Sequence, residues 1–162
     1  IPIKEYASHF DTVYVSLYKY LGASAGAILC GEKTVIDKMP HLMKIHGGSM
    51  YGNWANAAMA LQRLEGFEER LQQSIKRANE IFAELNKLNA LKITPLDGGT
   101  NIYNCTLTKD TDGVKLREDL GKNFNIRIPP FNKENQTKLM VNETLLYQPA
   151  EQVIQAFKKS LS

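Results

Sequence analysis

Residues 11–31 read DTVYVSLYKYLGASAGAILCG and contain two β-prone runs around one lysine, Lys19. β-branched and aromatic residues over 13–17 predict a first strand, and the apolar run over 27–30 predicts a second. We expect both strands to be buried in a parallel sheet, with Lys19 in the turn between them. Burial favours the neutral amine of a lysine, which is the nucleophile that forms Schiff bases. The alternative is a lysine at a sheet margin that packs its stem and keeps its charged end in water.

The bulk composition is that of a globular chain. Its 162 residues are 43% hydrophobic, enough for one ordinary domain or for parts of two. Lysine and arginine number 20 against 17 acidic residues, and the net charge of +3 is spread without a basic run, so we expect neither nucleic acid nor a membrane as a partner. Cys30 and Cys105 lie in apolar strand patterns, which favours reduced thiols and a cytoplasmic location. No apolar stretch approaches the roughly 20 residues that span a bilayer.

The rest of the chain alternates between helical and strand patterns. We predict a helix at 33–39 that Pro40 interrupts, a flexible loop at 47–54 and a long amphipathic helix at 64–85. His41 and His46 are five residues apart, about 140° around a helix, so we predict no metal site. In the later part of the chain, strands are predicted at 91–96, 101–107, 126–128 and 138–145. Helices are predicted at 114–124 and from 149 onward. Their short connections predict a mainly antiparallel sheet covered by helices on one face.

Three motifs in this sequence resemble the threonine aldolase and β-eliminating lyase family of pyridoxal-phosphate enzymes. They are the segment Ser16–Ala23 with Lys19 at its centre, the strand Gly26–Leu29, and the stretch Gly47-Gly48-Ser49-Met50. The resemblance implies an α/β fold that corresponds to the C-terminal part of the aspartate aminotransferase type. Residues 1–64 would end the large cofactor-binding domain, 65–88 would form a linking helix, and 89–162 would form a small α+β domain with an antiparallel sheet.

The resemblance also implies a chemistry. In that family the lysine of this segment carries pyridoxal 5'-phosphate as an internal aldimine, so Lys19 is the expected catalytic and cofactor-binding residue, and Ser16 is a candidate for the cofactor phosphate. The expected reaction is cleavage at the β carbon of an amino acid, a small-molecule substrate. The chain opens Ile1-Pro2 without an initiator methionine, and we interpret it as the interior of a longer polypeptide. We therefore expect these residues alone to be inactive, and to work in a homo-oligomer (dimer or tetramer) or with a missing N-terminal part.

Two departures from the family pattern bear on the substrate. Threonine aldolases carry an arginine after the Gly-Gly-small-Met stretch and another in the strand before the final helix, where a guanidinium fork holds a carboxylate. Tyr51 stands at the first position, and residues 139–142 contain no arginine. Tyr51 and Arg127 are thus the remaining candidates for substrate binding, and we expect weak activity on threonine. A catalytically altered relative that serves as a binding or scaffold protein, or an independent α/β interaction domain, would be alternatives.

Overall fold

A computed structural model describes residues 2–161, and the chain divides into two compact units, Ile1–Phe67 and Glu68–Ser162. Ile1, on which the expectation about the chain start depends, lies outside the described residues. The first unit contains four helices and two strands: α1 (Ile3–Ala7), β1 (Thr12–Ser16), β2 (Ala27–Gly31), α2 (Lys33–Ile36), α3 (Met39–Ile45) and α4 (Trp54–Leu64).

Strands β1 and β2 form an antiparallel hairpin in which Ser16 pairs with Ala27 and Thr12 pairs with Gly31. The expected parallel arrangement is wrong, because a parallel pair needs a crossover of a dozen or more residues and only residues 17–26 connect these strands. The expected burial is also wrong. Every residue of β2 is exposed, and β1 has only half-buried positions at Val13 and Ser16. Among the described residues, no further strand belongs to this sheet, so the hairpin lacks a covering layer.

Two predicted helices are divided where the backbone requires it. The segment after β2 forms α2 and α3, and Pro40 lies in the first turn of α3, where its missing N–H costs nothing. The long amphipathic pattern begins inside α4 and continues in α5 (Phe67–Leu85) after a break. Glu65 is extended there and Gly66 has a φ of +64°. The predicted helix over 64–85 is therefore two helices, and the longer one starts at Phe67.

The second unit is an antiparallel sheet with its core on one face. Strands β3 (Leu91–Pro95), β4 (Ile102–Leu107) and β5 (Gln136–Met140) lie in the order β3-β4-β5. Both pairs are antiparallel, as predicted. Burial alternates along them, so that Ile93, Tyr103 and Leu139 face inward. Helix α5 packs Ala78, Ile81 and Leu85 into the same core, together with α6 (Gly113–Phe124) and α7 (Ala150–Ser160).

Two predicted strands of the second unit differ in the structure. Residues 126–128 form no strand, because Asn125 ends α6 in the left-handed conformation with φ 54° and Pro129 and Pro130 offer no N–H. The strand predicted over 138–145 stops at Met140. A 3₁₀ helix follows at Glu143–Leu146, and the Asn142 side chain caps it by accepting from the backbone N–H of Thr144 at 2.9 Å.

Candidate active site

The turn between β1 and β2 fixes the position of Lys19. The backbone N–H of Gly22 donates to the Lys19 carbonyl at 3.2 Å, and the N–H of Ala23 donates to the Leu17 carbonyl at 3.0 Å. Gly22 takes a φ of +65°, which a side chain would disfavour. Leu17 and Ala23 are 5% exposed and pack with Ala60 of α4, so the apolar side of the turn is anchored. Lys19 lies at the opposite, polar end of the same turn, where it is exposed.

Two asparagines of α4 and its cap hold the second half of this turn. The Asn56 carbonyl oxygen Oδ1 accepts from the backbone N–H of Ala25 at 3.2 Å, and its Nδ2 donates to Asn53 Oδ1 at 2.7 Å. Gly26 passes so close to Asn53 that an added Cβ would lie 2.8 Å from Asn53 Nδ2. A fixed glycine and an amide pair therefore determine where the hairpin meets α4.

Lys19 is accessible rather than buried, which corrects the expectation from the sequence. The physical reason is the exposed hairpin around it, since no layer formed by the described residues of the first unit covers either strand. Within residues 2–161, no carboxylate lies at ion-pair distance from its ammonium. Burial therefore does not produce the neutral amine here, and what the structure supplies is an accessible amine without a salt bridge.

Two tyrosines lie beside the lysine. The hydroxyls of Tyr14 and Tyr18 are 3.3 Å apart, and both rings are exposed. This hydrogen bond, with smaller contributions from desolvation and from the charge of Tyr18, raises the pKa of Tyr14 above its ordinary value. The two hydroxyls thus form a hydrogen-bonded pair on the exposed surface of the hairpin.

Ser16 and Tyr51 occupy different parts of the first unit. Ser16 ends β1, is half-buried, and has no hydrogen bond from its hydroxyl among residues 2–161. Tyr51 lies in the predicted loop between α3 and α4 and is fully exposed. In that loop the N–H of Gly48 donates to the Met43 carbonyl at 2.8 Å, and Gly47 has a φ of +73°.

Arg127 belongs to the second unit. It is exposed on the irregular segment between α6 and β5, where Ile126 and Ile128 point toward the core. This alternation agrees with the predicted direction of the side chain, although the segment is not a strand. Arg127 lines a cavity of about 310 Å³ within the second unit.

The first unit offers some of the groups that pyridoxal phosphate requires. Lys19 supplies an accessible amine for the aldehyde, and the hydroxyl of Ser16, at the end of β1 before the turn, is a donor for an anion. Residues 22–26 are Gly, Ala, Ser, Ala and Gly, so the second half of the turn carries only small side chains. These residues fit the attachment of the cofactor. Among the described residues, no cluster of His, Cys, Asp or Glu fits a metal ion.

The sequence interpretation overlooked Asn53, Asn56 and Arg63, which position the turn rather than react. An added Cβ at Gly22 would lie 3.6 Å from Arg63 Nε, so this side chain passes close to the turn. A usable signal was Asn56 itself. Asparagine is a poor helix former, and in the alanine-rich α4 it has a reason to be there only if its amide is used.

The fold is that of the C-terminal part of a fold-type I pyridoxal-phosphate enzyme, as predicted. A solved structure assigned as an aromatic amino acid beta-eliminating lyase/threonine aldolase, from Exiguobacterium sp. 255-15, superposes with a TM-score of 0.75 at 21% identity. The match covers 96% of this chain and 46% of that one. An alanine–glyoxylate aminotransferase from Nostoc sp. superposes at 0.70 with 17% identity and covers 100% of this chain and 51% of its own.

The sequence comparison defines the family more narrowly. The family described as "Beta-eliminating lyase" matches residues 1–107, and the chain belongs to it. "Probable low-specificity L-threonine aldolase 2" of Arabidopsis thaliana is 29% identical over 126 residues, which is 75% of this chain and 36% of the relative. "Low-specificity L-threonine aldolase" of Candida albicans is 37% identical over 81 residues, 50% of this chain and 22% of the relative. The chain thus spans about a third or less of the length of these relatives.

None of the helices in the described part of the chain is long and apolar enough to cross a membrane.

Proposed function

We propose that this chain is part of a pyridoxal-phosphate-dependent lyase or aldolase that acts on an amino acid, with Lys19 as the residue that attaches the cofactor. The observation that carries the proposal is the accessible Lys19 in a turn fixed by α4, within a chain that belongs to the beta-eliminating lyase family. Its curated relatives named above are threonine aldolases, which supports cleavage at the β carbon of a small amino acid.

The proposal gives a specific role to each residue of the turn and its supports. Lys19 holds the cofactor through its Nζ and, when displaced by substrate, moves a proton at the α or β carbon. The Ser16 hydroxyl donates a hydrogen bond to the phosphate. Asn53 and Asn56 keep the turn in place, so the amine does not have to be ordered during the reaction. When bound, pyridoxal phosphate supplies an electron sink for the bond that breaks.

Tyr51 in the first unit and Arg127 in the second unit are proposed as two separate candidates for a substrate contact. A tyrosine hydroxyl donates one neutral hydrogen bond, whereas an arginine donates two charge-assisted ones to a carboxylate. A tyrosine at position 51, where the resemblance implies an arginine, therefore supports a substrate preference that differs from that of a threonine-specific enzyme.

A second candidate function is a catalytically altered relative that binds other proteins. Tyr51 at the position where the resemblance implies arginine favours it. A spectroscopic titration with pyridoxal phosphate of the protein expressed from its complete gene distinguishes the two. The enzyme proposal predicts an absorption band of the lysine-bound cofactor that Lys19→Ala abolishes and Lys44→Ala keeps. The binding-protein alternative predicts no such band in either the parent protein or the variants.

We propose that the first unit associates with another copy or with a further part of the enzyme. Among the described residues, all but three of the exposed large hydrophobic side chains lie in this unit, the exceptions being Val114, Met140 and Tyr147. An isolated two-stranded hairpin is marginal in water, and such an apolar surface is typical of an interaction site. Sedimentation velocity of the protein expressed from its complete gene tests this: we expect a dimer or tetramer, and a stable monomer at micromolar concentration contradicts the oligomer.

A further inference from the structure

The second unit contains a cavity of about 310 Å³ that lies between the irregular segment 125–129 and the end of β5. Its floor is apolar and includes Phe82 of α5 and Phe157 of α7. Pockets that bind small molecules begin at about 300 Å³. This cavity is therefore large enough for a ligand with about ten non-hydrogen atoms.

The cavity exists because the segment after α6 does not join the sheet. Asn125 turns the chain in the left-handed conformation, and the N–H of Ile126 donates to the Leu120 carbonyl at 2.9 Å. Pro129 and Pro130 then provide no donors for β5. In the part of the chain that the structure describes, no backbone hydrogen bond joins residues 125–129 to residues 139–142. The space that an additional strand would have closed thus remains open.

The described lining of the cavity carries positive charge and no negative charge. Of the described residues that line it, Arg127 alone is charged. Its guanidinium is exposed and has no ion-pair partner within residues 2–161. Glu143 is adjacent in sequence to the lining residues Asn142 and Thr144, but its carboxylate pairs with Arg70 Nε at 3.0 Å. No carboxylate of the described lining therefore competes for the guanidinium at the rim.

The remaining polar groups at the rim are neutral. The Tyr147 side chain is 70% exposed. The side-chain oxygen Oδ1 of Asn142 is already used, since it accepts from Oγ1 of Thr144 at 2.6 Å and from the backbone N–H of Thr144 at 2.9 Å. A phenol hydroxyl and a guanidinium both donate hydrogen bonds to an anion.

We infer that this cavity binds a small apolar carboxylate, whose hydrocarbon part fills the apolar floor and whose carboxylate pairs with Arg127. An apolar floor alone would accept a neutral hydrophobic molecule equally well, and an arginine alone would accept any anion. The combination selects a molecule that has both parts, such as an arylalkanoic acid. The inference stands on the cavity and holds whether or not Lys19 binds a cofactor.

The test uses the full chain, labelled at the isoleucine δ1 methyl groups, and 3-phenylpropionate as the probe. 3-Phenylpropionamide has the same shape without the charge and is the matched ligand control. We expect 3-phenylpropionate to bind with a Kd of about 1 mM or below and to shift the methyl signals of Ile126 and Ile128. The signal of Ile28 in the first unit stays in place. The amide binds roughly tenfold more weakly, because it loses the charge-assisted hydrogen bond at an exposed site.

Three variants test whether the acid lies in the cavity beside Arg127. Arg127→Gln removes the preference for the acid over the amide, while Lys138→Gln, which changes an exposed cation of β5, keeps it. Lys19→Ala binds the acid as the parent chain does. Equal binding of acid and amide by the parent chain would overturn the inference, as would the same loss in Lys138→Gln. Shifts confined to Ile28, or loss of binding in Lys19→Ala, would overturn it too, because they place the ligand in the first unit.

Discussion

The backbone N–H of Ala25 donates to Asn56 Oδ1 at 3.2 Å, and this bond joins the turn that carries Lys19 to helix α4. The same asparagine donates to Asn53 at 2.7 Å, so its amide is satisfied on both sides. The turn of an otherwise exposed hairpin is thus held by an asparagine network in addition to the buried contact of Leu17 and Ala23 with Ala60. The first two predictions test that network.

Replacing Asn56 by alanine should loosen the turn without removing any reactive group. The variant loses the hydrogen bond to Ala25, at a cost of about 1 kcal/mol in the stability of the turn. We expect faster hydrogen exchange at the Ala25 amide and a lower yield of cofactor attachment at Lys19. Asn123→Ala removes an exposed side-chain bond of α6 and is the control. Unchanged exchange at Ala25 in Asn56→Ala would contradict the assigned role.

Gly26 should tolerate alanine less well than a second glycine that also has a positive φ but has free space around it. Gly26 has a φ of +98° and would place its Cβ 2.8 Å from Asn53 Nδ2, whereas Gly47 has a φ of +73° and nothing within 4 Å. Both alanine variants carry a strain of about 1 kcal/mol. We expect Gly26→Ala to lower the thermal midpoint clearly more than Gly47→Ala. Equal shifts would mean that Asn53 moves aside freely.

The two cysteines should differ sharply in reactivity. Burial raises the pKa of Cys105 from 9.0 to about 11, while Cys30 of β2 is exposed. Because the thiolate is the reactive form, alkylation with iodoacetamide at pH 8 should modify Cys30 and leave Cys105 intact, as peptide mass spectrometry can measure. Rapid modification of Cys105 in the folded chain would show that β4 opens.

Cys105 also gives a dependence of stability on pH. The folded state favours the neutral thiol of Cys105. Its contribution to the free energy of unfolding is therefore complete below the pKa of the thiol in the unfolded chain, near 9, and is lost as the pH rises toward its pKa in the folded chain, about 11. We expect the unfolding midpoint in urea to fall over this range, and to fall less in Cys105→Ala. An equal decline in the variant would assign the effect to other groups.

The substrate preference should respond to residue 51. In the protein expressed from its complete gene, Tyr51→Arg supplies a charge-assisted fork for a carboxylate, worth about 1.5 to 3 kcal/mol, or roughly ten- to a hundredfold in affinity. We expect the KM for threonine to fall by that factor, as measured by acetaldehyde release, and to rise in Tyr51→Phe, which loses the neutral hydrogen bond of the hydroxyl. Strong threonine turnover by the parent protein would contradict the proposed role of Tyr51.

The sequence predicted the second unit better than the first for a physical reason. In β3 and β4 the inward residues Ile93, Tyr103 and Cys105 follow a strict alternation, because one face of that sheet packs on helices of the same unit. Apolar spacing alone does not reveal where a helix ends. The helical spacing continues from Leu64 to Phe67, so it predicted one helix across the turn at Gly66 that divides the two helices.

At the candidate site the sequence located the turn but not its surroundings. The β-prone runs on either side of Lys19 located the two strands and the turn, but not their antiparallel pairing. The burial of a strand depends on layers that its own sequence does not encode. The apolar runs of β1 and β2 therefore predicted buried strands, and the hairpin is exposed. The contact of Gly26 with Asn53 joins residues from separate elements, and spacing along the chain does not reveal such a contact.

Cofactor attachment at Lys19 is the step on which the proposed function depends. The decisive experiment reduces the protein, expressed from its complete gene, with borohydride in the presence of pyridoxal phosphate and maps the adduct by peptide mass spectrometry. We expect one stoichiometric pyridoxyl group on Lys19, absent in Lys19→Ala and retained in Lys44→Ala. An adduct on another lysine, or no adduct with the cofactor in excess, would contradict the assignment of Lys19.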